Sequence, residues 1–159
     1  MNIDAAPGSM EVFNFLRSSD INKEICIGPK ADQAVDFFIF DKPALNTFDP
    51  SMAELAKQNS KLLKVCKLKT RTLADCLEAY VPKNSIIDFL SIDVEGLDEM
   101  ILKSNDWSRF SPTYIVFESH DLTLDNFSEH GFVKFLNGVG YSVVSKTGPS
   151  FIAKLESRK

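Results

Sequence analysis

Residues 86–96, reading IIDFLSIDVEG, constrain the fold of this chain more than any other stretch. Ile86, Ile87, Phe89, Leu90, Ile92 and Val94 are too continuously apolar for a strand with one wet face. The run therefore predicts a buried parallel strand. It ends abruptly in Asp93, Glu95 and Gly96, where the chain leaves the sheet. Ligands of open α/β sheets bind at those carboxyl ends, so two acids there predict a site. They also have a purely local reading: Asp93 caps the next helix and Glu95 favours its positive N-terminus.

The rest of the chain alternates strands with helices. Asn2–Asp4 predicts a very short strand, followed by a Pro7-Gly8 turn and a helix capped by Ser9 with Met10, Phe13 and Leu16 at helical spacing. Strands follow at Asn22–Ile27, stopped by Gly28 and Pro29, and at Val35–Phe40. Ser51 and Glu54 read as a capping box before Met52, Leu55 and Ala56. In the alternating, half-exposed strand Leu62–Lys69, Leu63, Val65 and Lys67 share one face. Thr72 and Asp75 form a second capping pair. Leu73, Cys76, Leu77 and Tyr80 then mark a helix that ends before Pro82, with Cys76 as a small core residue. Leu97, Met100 and Ile101 predict a short helix, and Thr113–Glu118 a second buried strand ending in an acid. Phe132, Phe135, Leu136 and Val139 give a helix closed by Gly140. Tyr141–Lys146 and Ser150–Leu155, joined through Thr147-Gly148-Pro149, predict a terminal hairpin. The fold class is α/β: a mostly parallel sheet with a C-terminal antiparallel hairpin, in a single domain over residues 1–159.

Bulk composition narrows the function classes. A formal charge of -4 argues against a general nucleic-acid binder. The local cluster Lys61, Lys64, Lys67, Lys69 and Arg71 reads as the solvated face of a strand, with phosphate binding as the rival reading. Three cysteines without CxxC spacing argue against a zinc site and a disulfide framework, so no metal ligands are assigned. No segment approaches the roughly 20 apolar residues that span a bilayer, and no signal peptide is evident. The expectation is a cytoplasmic protein.

IDFLSIDVEGLDEMILKSNDW, SPTYIVFES and a late GY before the hairpin resemble the C-terminal half of FkbM-type methyltransferases. The opening NIDAAPGSMEVFNFLRSSDIN resembles a subgroup of the same family. The resemblance implies a Rossmann-like methyltransferase sheet, S-adenosylmethionine as cofactor and O-methylation of a sugar or small-metabolite hydroxyl. One departure stands out. Family members begin with a strand and a DxGxNxG-like loop that lets the backbone approach the cofactor, whereas this chain begins at what resembles the second strand. The expected sheet is therefore incomplete at the N-terminus. It leaves unpaired edges on the Asn2–Asp4 and Ile86–Val94 strands, which either close directly on each other, are filled by another chain, or mark a partial gene product. Losing about three hydrogen bonds at about 1 kcal/mol each weakens cofactor binding on the order of a hundredfold. A catalytically silent fragment or subunit is the alternative function. A magnesium-dependent phosphoryl or glycosyl enzyme is a third reading, undercut by the lack of a phosphate-gripping loop.

The resemblance also assigns roles. Asp4 matches the acid that receives ribose hydroxyls at a second strand's tip; its rival reading is a turn aspartate before Pro7. Asp93 and Glu95 match the acids of the family's DVEG block. Asp93 is the base or acceptor-binding residue, also placed at the cofactor, and Glu95 is a second polar anchor. Ser91 stands where many family members carry lysine. Glu118 matches a further family acid, and His120 can take a proton near neutral pH or be a plain surface residue. His130 is expected to have no chemical role, and Trp107 to pack. Three acid-tipped strands, ending at Asp4, Asp93 and Glu118, are expected to converge on a nucleoside-shaped crevice.

Overall fold

A computed structural model describes residues 1–94, 96–123 and 125–156. The chain divides into two compact units, Met1–Val81 and Pro82–Lys159, each with its own sheets.

In the first unit, β1 (Asn2–Asp4) pairs in parallel with β2 (Asn22–Glu24) through the crossover helix α1 (Met10–Leu16). Ser9 does stand at the N-cap of α1, but its hydroxyl makes no capping bond. Glu24 does that work from across the unit, its Oε1 accepting the Gly8 N–H at 2.9 Å. The single strand expected over Asn22–Ile27 is two. Ile25 donates its N–H to Asp4 O (2.9 Å) and the chain then changes sheet. β3 (Cys26–Ile27) runs parallel to β5 (Leu62–Arg71), which also pairs antiparallel with β4 (Ala34–Phe40). Gly28 is required by close approach: a Cβ there would lie 2.8 Å from the Thr70 methyl. Thr70 is buried and gives its hydroxyl proton to Lys30 O at 2.6 Å, fixing the loop beside it.

The helix α2 (Pro50–Ala56) starts two residues earlier than the Ser51–Glu54 box implies. Asp49 is its N-cap, accepting from the Ser51 and Met52 amides, with Pro50 in the first turn. Ala53 and Ala56 pack on Phe40, with Phe38, Leu45 and Leu62 around them. β5 is half-exposed, and the face shared by Leu63, Val65 and Lys67 is the outer one. Leu63 and Val65 are exposed, whereas Cys66 and Leu68 are half-buried and Thr70 is buried. The β4–β5 register shifts between Ile39 and Phe40. Lys67 ion-pairs with Asp36 at 2.6 Å, and Lys64 lies on the other face of the strand.

α3 (Leu73–Tyr80) follows the sequence pattern closely. Thr72 accepts from the Asp75 N–H at 3.0 Å while Asp75 accepts from the Thr72 N–H, a complete capping box. Leu73, Cys76 and Leu77 are its buried face. We expect Thr72→Ala to cost about 1 kcal/mol, read as a lower urea midpoint with an unchanged m-value.

The second unit is one four-stranded sheet in the order β6-β7-β9-β8, built from β6 (Phe89–Ser91), β7 (Tyr114–Glu118), β8 (Tyr141–Thr147) and β9 (Ser150–Leu155). β6 is parallel to β7, and the hairpin β8–β9 closes through Gly148, whose φ is +59°. Among the described residues parallel and antiparallel pairings are equal in number, so the sheets are mixed rather than mostly parallel. One sheet face carries the core. Ile115, Phe117, Phe151 and Ala153 are buried there with Phe132, Val133 and Leu136 of α5 (Gly131–Gly138).

The expectation of a strand over Ile86–Val94 buried on both faces fails. Among the described residues only Phe89–Ser91 pairs, and on one side only, as the edge of its sheet. With one ladder and one covered face, Ile86 is 82% exposed and Phe89 66%. β7 alternates for the same reason, Tyr114 being exposed and Ile115 and Phe117 buried. In α4 (Asp98–Lys103) the buried face is Asp98, Ile101 and Leu102, and Met100 is only half-buried. Trp107 packs edge-on against Tyr141 at 5.3 Å. Gly140 takes φ +91° just past α5, as a helix-closing glycine should. No helix among the described residues is long and apolar enough to cross a membrane.

Candidate active site

The parallel ladder β6–β7 brings two of the expected acids to neighbouring strand tips. Ser91 is opposite Val116, and the Ile92 N–H donates to Val116 O at 2.9 Å. Two residues past that last paired rung each chain reaches an acid, Asp93 just beyond β6 and Glu118 at the end of β7. Asp93 is exposed. Glu118 is half-buried and accepts the Ser150 hydroxyl on Oε1 at 3.0 Å, which orients it along the sheet. Behind Asp93 the chain turns: the Leu97 N–H donates to Val94 O at 3.3 Å, and Gly96 holds φ +90°, which favours glycine. Glu95 lies outside the described residues.

Asp98, unremarked in the sequence, is the most unusual group here. It is the first residue of α4 and only 1% exposed. Its Oδ1 accepts the backbone N–H of Glu118 at 2.9 Å, while Oδ2 is buried and has no hydrogen-bond partner among the described residues. Burial pushes its carboxyl above the ordinary aspartate value, and the charge of Asp93 adds to this. Backbone amides of Glu118, Val94 and Asp98 pull the other way. Helical spacing held a clue, since Asp98 shares a face with Ile101 and Leu102 (i+3 and i+4).

A folded carboxyl with a raised pKa favours the protonated native state. Its contribution is fully present below the unfolded aspartate value of about 3.9 and is lost as pH rises through the folded value. Measured against D98N by urea unfolding from pH 3 to pH 8, the wild type should lose relative stability as pH increases.

His120 is exposed in the loop after β7. With Ser119, Leu122, Thr123, Lys146, Gly148 and Pro149 it lines an open cleft of about 480 Å³ beside the Glu118 tip. Asp121 shapes this loop. It accepts the Ser119 hydroxyl at 2.6 Å and faces His130 Nε2 at 3.2 Å, and both lower its pKa, Ser119 the more. His130 caps α5, its Nδ1 accepting the Phe132 N–H at 3.3 Å. That bond leaves the ring proton on Nε2, facing Asp121.

Asp4 belongs to the first unit, at the exposed end of β1. Its Oδ1 accepts the Ala6 N–H at 2.6 Å, the turn geometry of the local reading, with Oδ2 left over.

No curated protein and no solved structure matches this chain. The family described as Methyltransferase FkbM domain matches residues 3–143. That span holds Asp4, the acid-tipped pair β6–β7 and Asp98, and over this length the chain belongs to the FkbM methyltransferase family.

Proposed function

We propose that this protein is an S-adenosylmethionine-dependent O-methyltransferase acting on a hydroxyl of a sugar or small metabolite. The observation that supports the reading is that Asp93 and Glu118 follow the last rung of two adjacent parallel strands in a methyltransferase-family chain. A hydroxyl that attacks a methyl carbon must shed its proton, and the exposed Asp93 is placed to take it. Glu118, tied to Ser150, holds a fixed second charge for the acceptor. His120 stands at the cleft as an alternative proton acceptor. Glu95 is proposed as the second polar anchor.

The ribose end of the cofactor fits Asp4. That carboxylate spends one oxygen on its own turn and keeps the other for a ribose hydroxyl. When bound, S-adenosylmethionine supplies an electrophilic methyl on a sulfonium centre. We read the whole chain as one Rossmann-like domain working in the cytoplasm on a small-molecule or glycan acceptor, without nucleic-acid or membrane partners. The open side of β6 is where a second copy would pair.

Isothermal titration with S-adenosylmethionine is the test. Micromolar binding that weakens in D4A supports the enzyme. Absence of heat at millimolar cofactor removes it and leaves the silent, interaction-only reading.

A further inference from the structure

We propose that Asp98 is a positioning residue that clasps the tips of β6 and β7, holding Asp93 and Glu118 as one acidic pair. This rests on the reading of those two acids as the transfer site.

The ladder itself supports the proposal. In a parallel pair each residue of one strand bonds to two residues flanking its partner. Val116 accepts from Ile92, so continuing the ladder would send the Glu118 N–H to the Ile92 carbonyl just past β6. Asp98 takes that N–H instead, at 2.9 Å. A side chain from α4 thus replaces the last main-chain rung. The two strands can part at Asp93 and Glu118 without leaving a buried amide unsatisfied. Asp93 is thereby free to face solvent while its strand stays anchored beside β7.

Stability alone does not explain such a residue. Its helix neighbours Ile101 and Leu102 are apolar and buried, and Asp98 Oδ2 is enclosed with no hydrogen-bond partner among the described residues. An uncompensated buried polar atom is costly and concentrates where geometry is over-determined for function. The carboxyl has the length to reach across to β7 from the first turn of α4, which an apolar residue cannot do.

Three variants test this: D98A, which removes the acceptor; D98N, which keeps an oxygen there; and I101V, a mild core change on the same helix. The first readout is amide hydrogen exchange at Glu118. The second is the set of amide shifts induced at Asp93 and Glu118 by S-adenosylmethionine.

In D98A, Glu118 protection should fall at least about tenfold. Cofactor-induced shifts at the two tips should no longer saturate together. D98N should restore both to within about threefold of wild type. I101V, though less stable, should leave both unchanged. Unaltered Glu118 protection in D98A overturns the proposal. So does equal loss in D98A and D98N, or a matching loss in I101V. If wild type shows no cofactor-induced shifts at all, the methyltransferase reading fails, while the exchange data still decide whether the clasp exists.

Discussion

Replacing Asp93 by asparagine should lower methyl transfer by at least about a hundredfold, because a positioned proton acceptor contributes typically 10²–10⁴ to such a step. Asp93 is singled out over its neighbours by its surroundings. Among the described residues it makes no hydrogen bond with the protein, whereas Glu118 is tied to Ser150 and Asp98 to the Glu118 amide. It is also exposed, so its carboxylate is open to an incoming hydroxyl. The asparagine keeps the size and a carbonyl oxygen but cannot accept a proton to become neutral. Release of S-adenosylhomocysteine with a mixture of monosaccharides and nucleotide sugars as acceptors measures the effect. Glu118→Gln should be milder, about tenfold, because it removes charge without removing the acceptor. A D93N protein retaining more than a tenth of wild-type turnover would take the base away from Asp93 and leave His120 as its replacement.

Local chemistry was legible in the sequence, and anything set by distant partners was not. α3 could be read completely, since its capping box, apolar stripe and stop all lie within eleven residues, Thr72 to Pro82. The terminal hairpin was equally plain. α1 shows the limit. Its N-terminal amides are served by Glu24, fourteen residues downstream of Met10, so the local choice of Ser9 was natural but incomplete. At α2 two local signals competed, and Asp49-Pro50 prevailed over Ser51–Glu54 because proline fits the first turn and aspartate caps it. The stretch 86–94 misled for a different reason. A continuous apolar run states that a strand can be covered on both faces, but the coverage belongs to other elements, and this strand has one ladder only. In the candidate site, Asp93 and Glu118 were visible as the acids ending apolar runs. Asp98 was not, because a third acid three residues after Glu95 looks like ordinary decoration of a helix start. Only the fold shows it turned inward onto the β7 amide.

Phe117→Ala should destabilise the second unit by about 3–5 kcal/mol. Phe117 is fully buried at the middle of the sheet, in the strand that pairs with both β6 and β9. Its ring meets Phe132 of α5 edge-on at 4.7 Å and lies nearly parallel to Phe151 of β9 at 5.5 Å. Truncation removes both contacts together with the apolar area, and the cavity opens between a strand and a helix that are each held by other contacts. Collapse around it is therefore limited, which places the cost toward the upper part of the range. At roughly 2–4 °C per kcal/mol for a chain of this size, the melting midpoint should fall by about 10 °C or more. Phe117→Leu keeps most of the volume and should lose less than half as much. The consequence reaches the site directly, because Glu118 is the next residue and its amide is the one held by Asp98. Hydrogen exchange in F117A should therefore accelerate at Glu118 and along β9 while α3, in the other unit, keeps its protection. Uniform acceleration across both units would show that they unfold as one cooperative body instead.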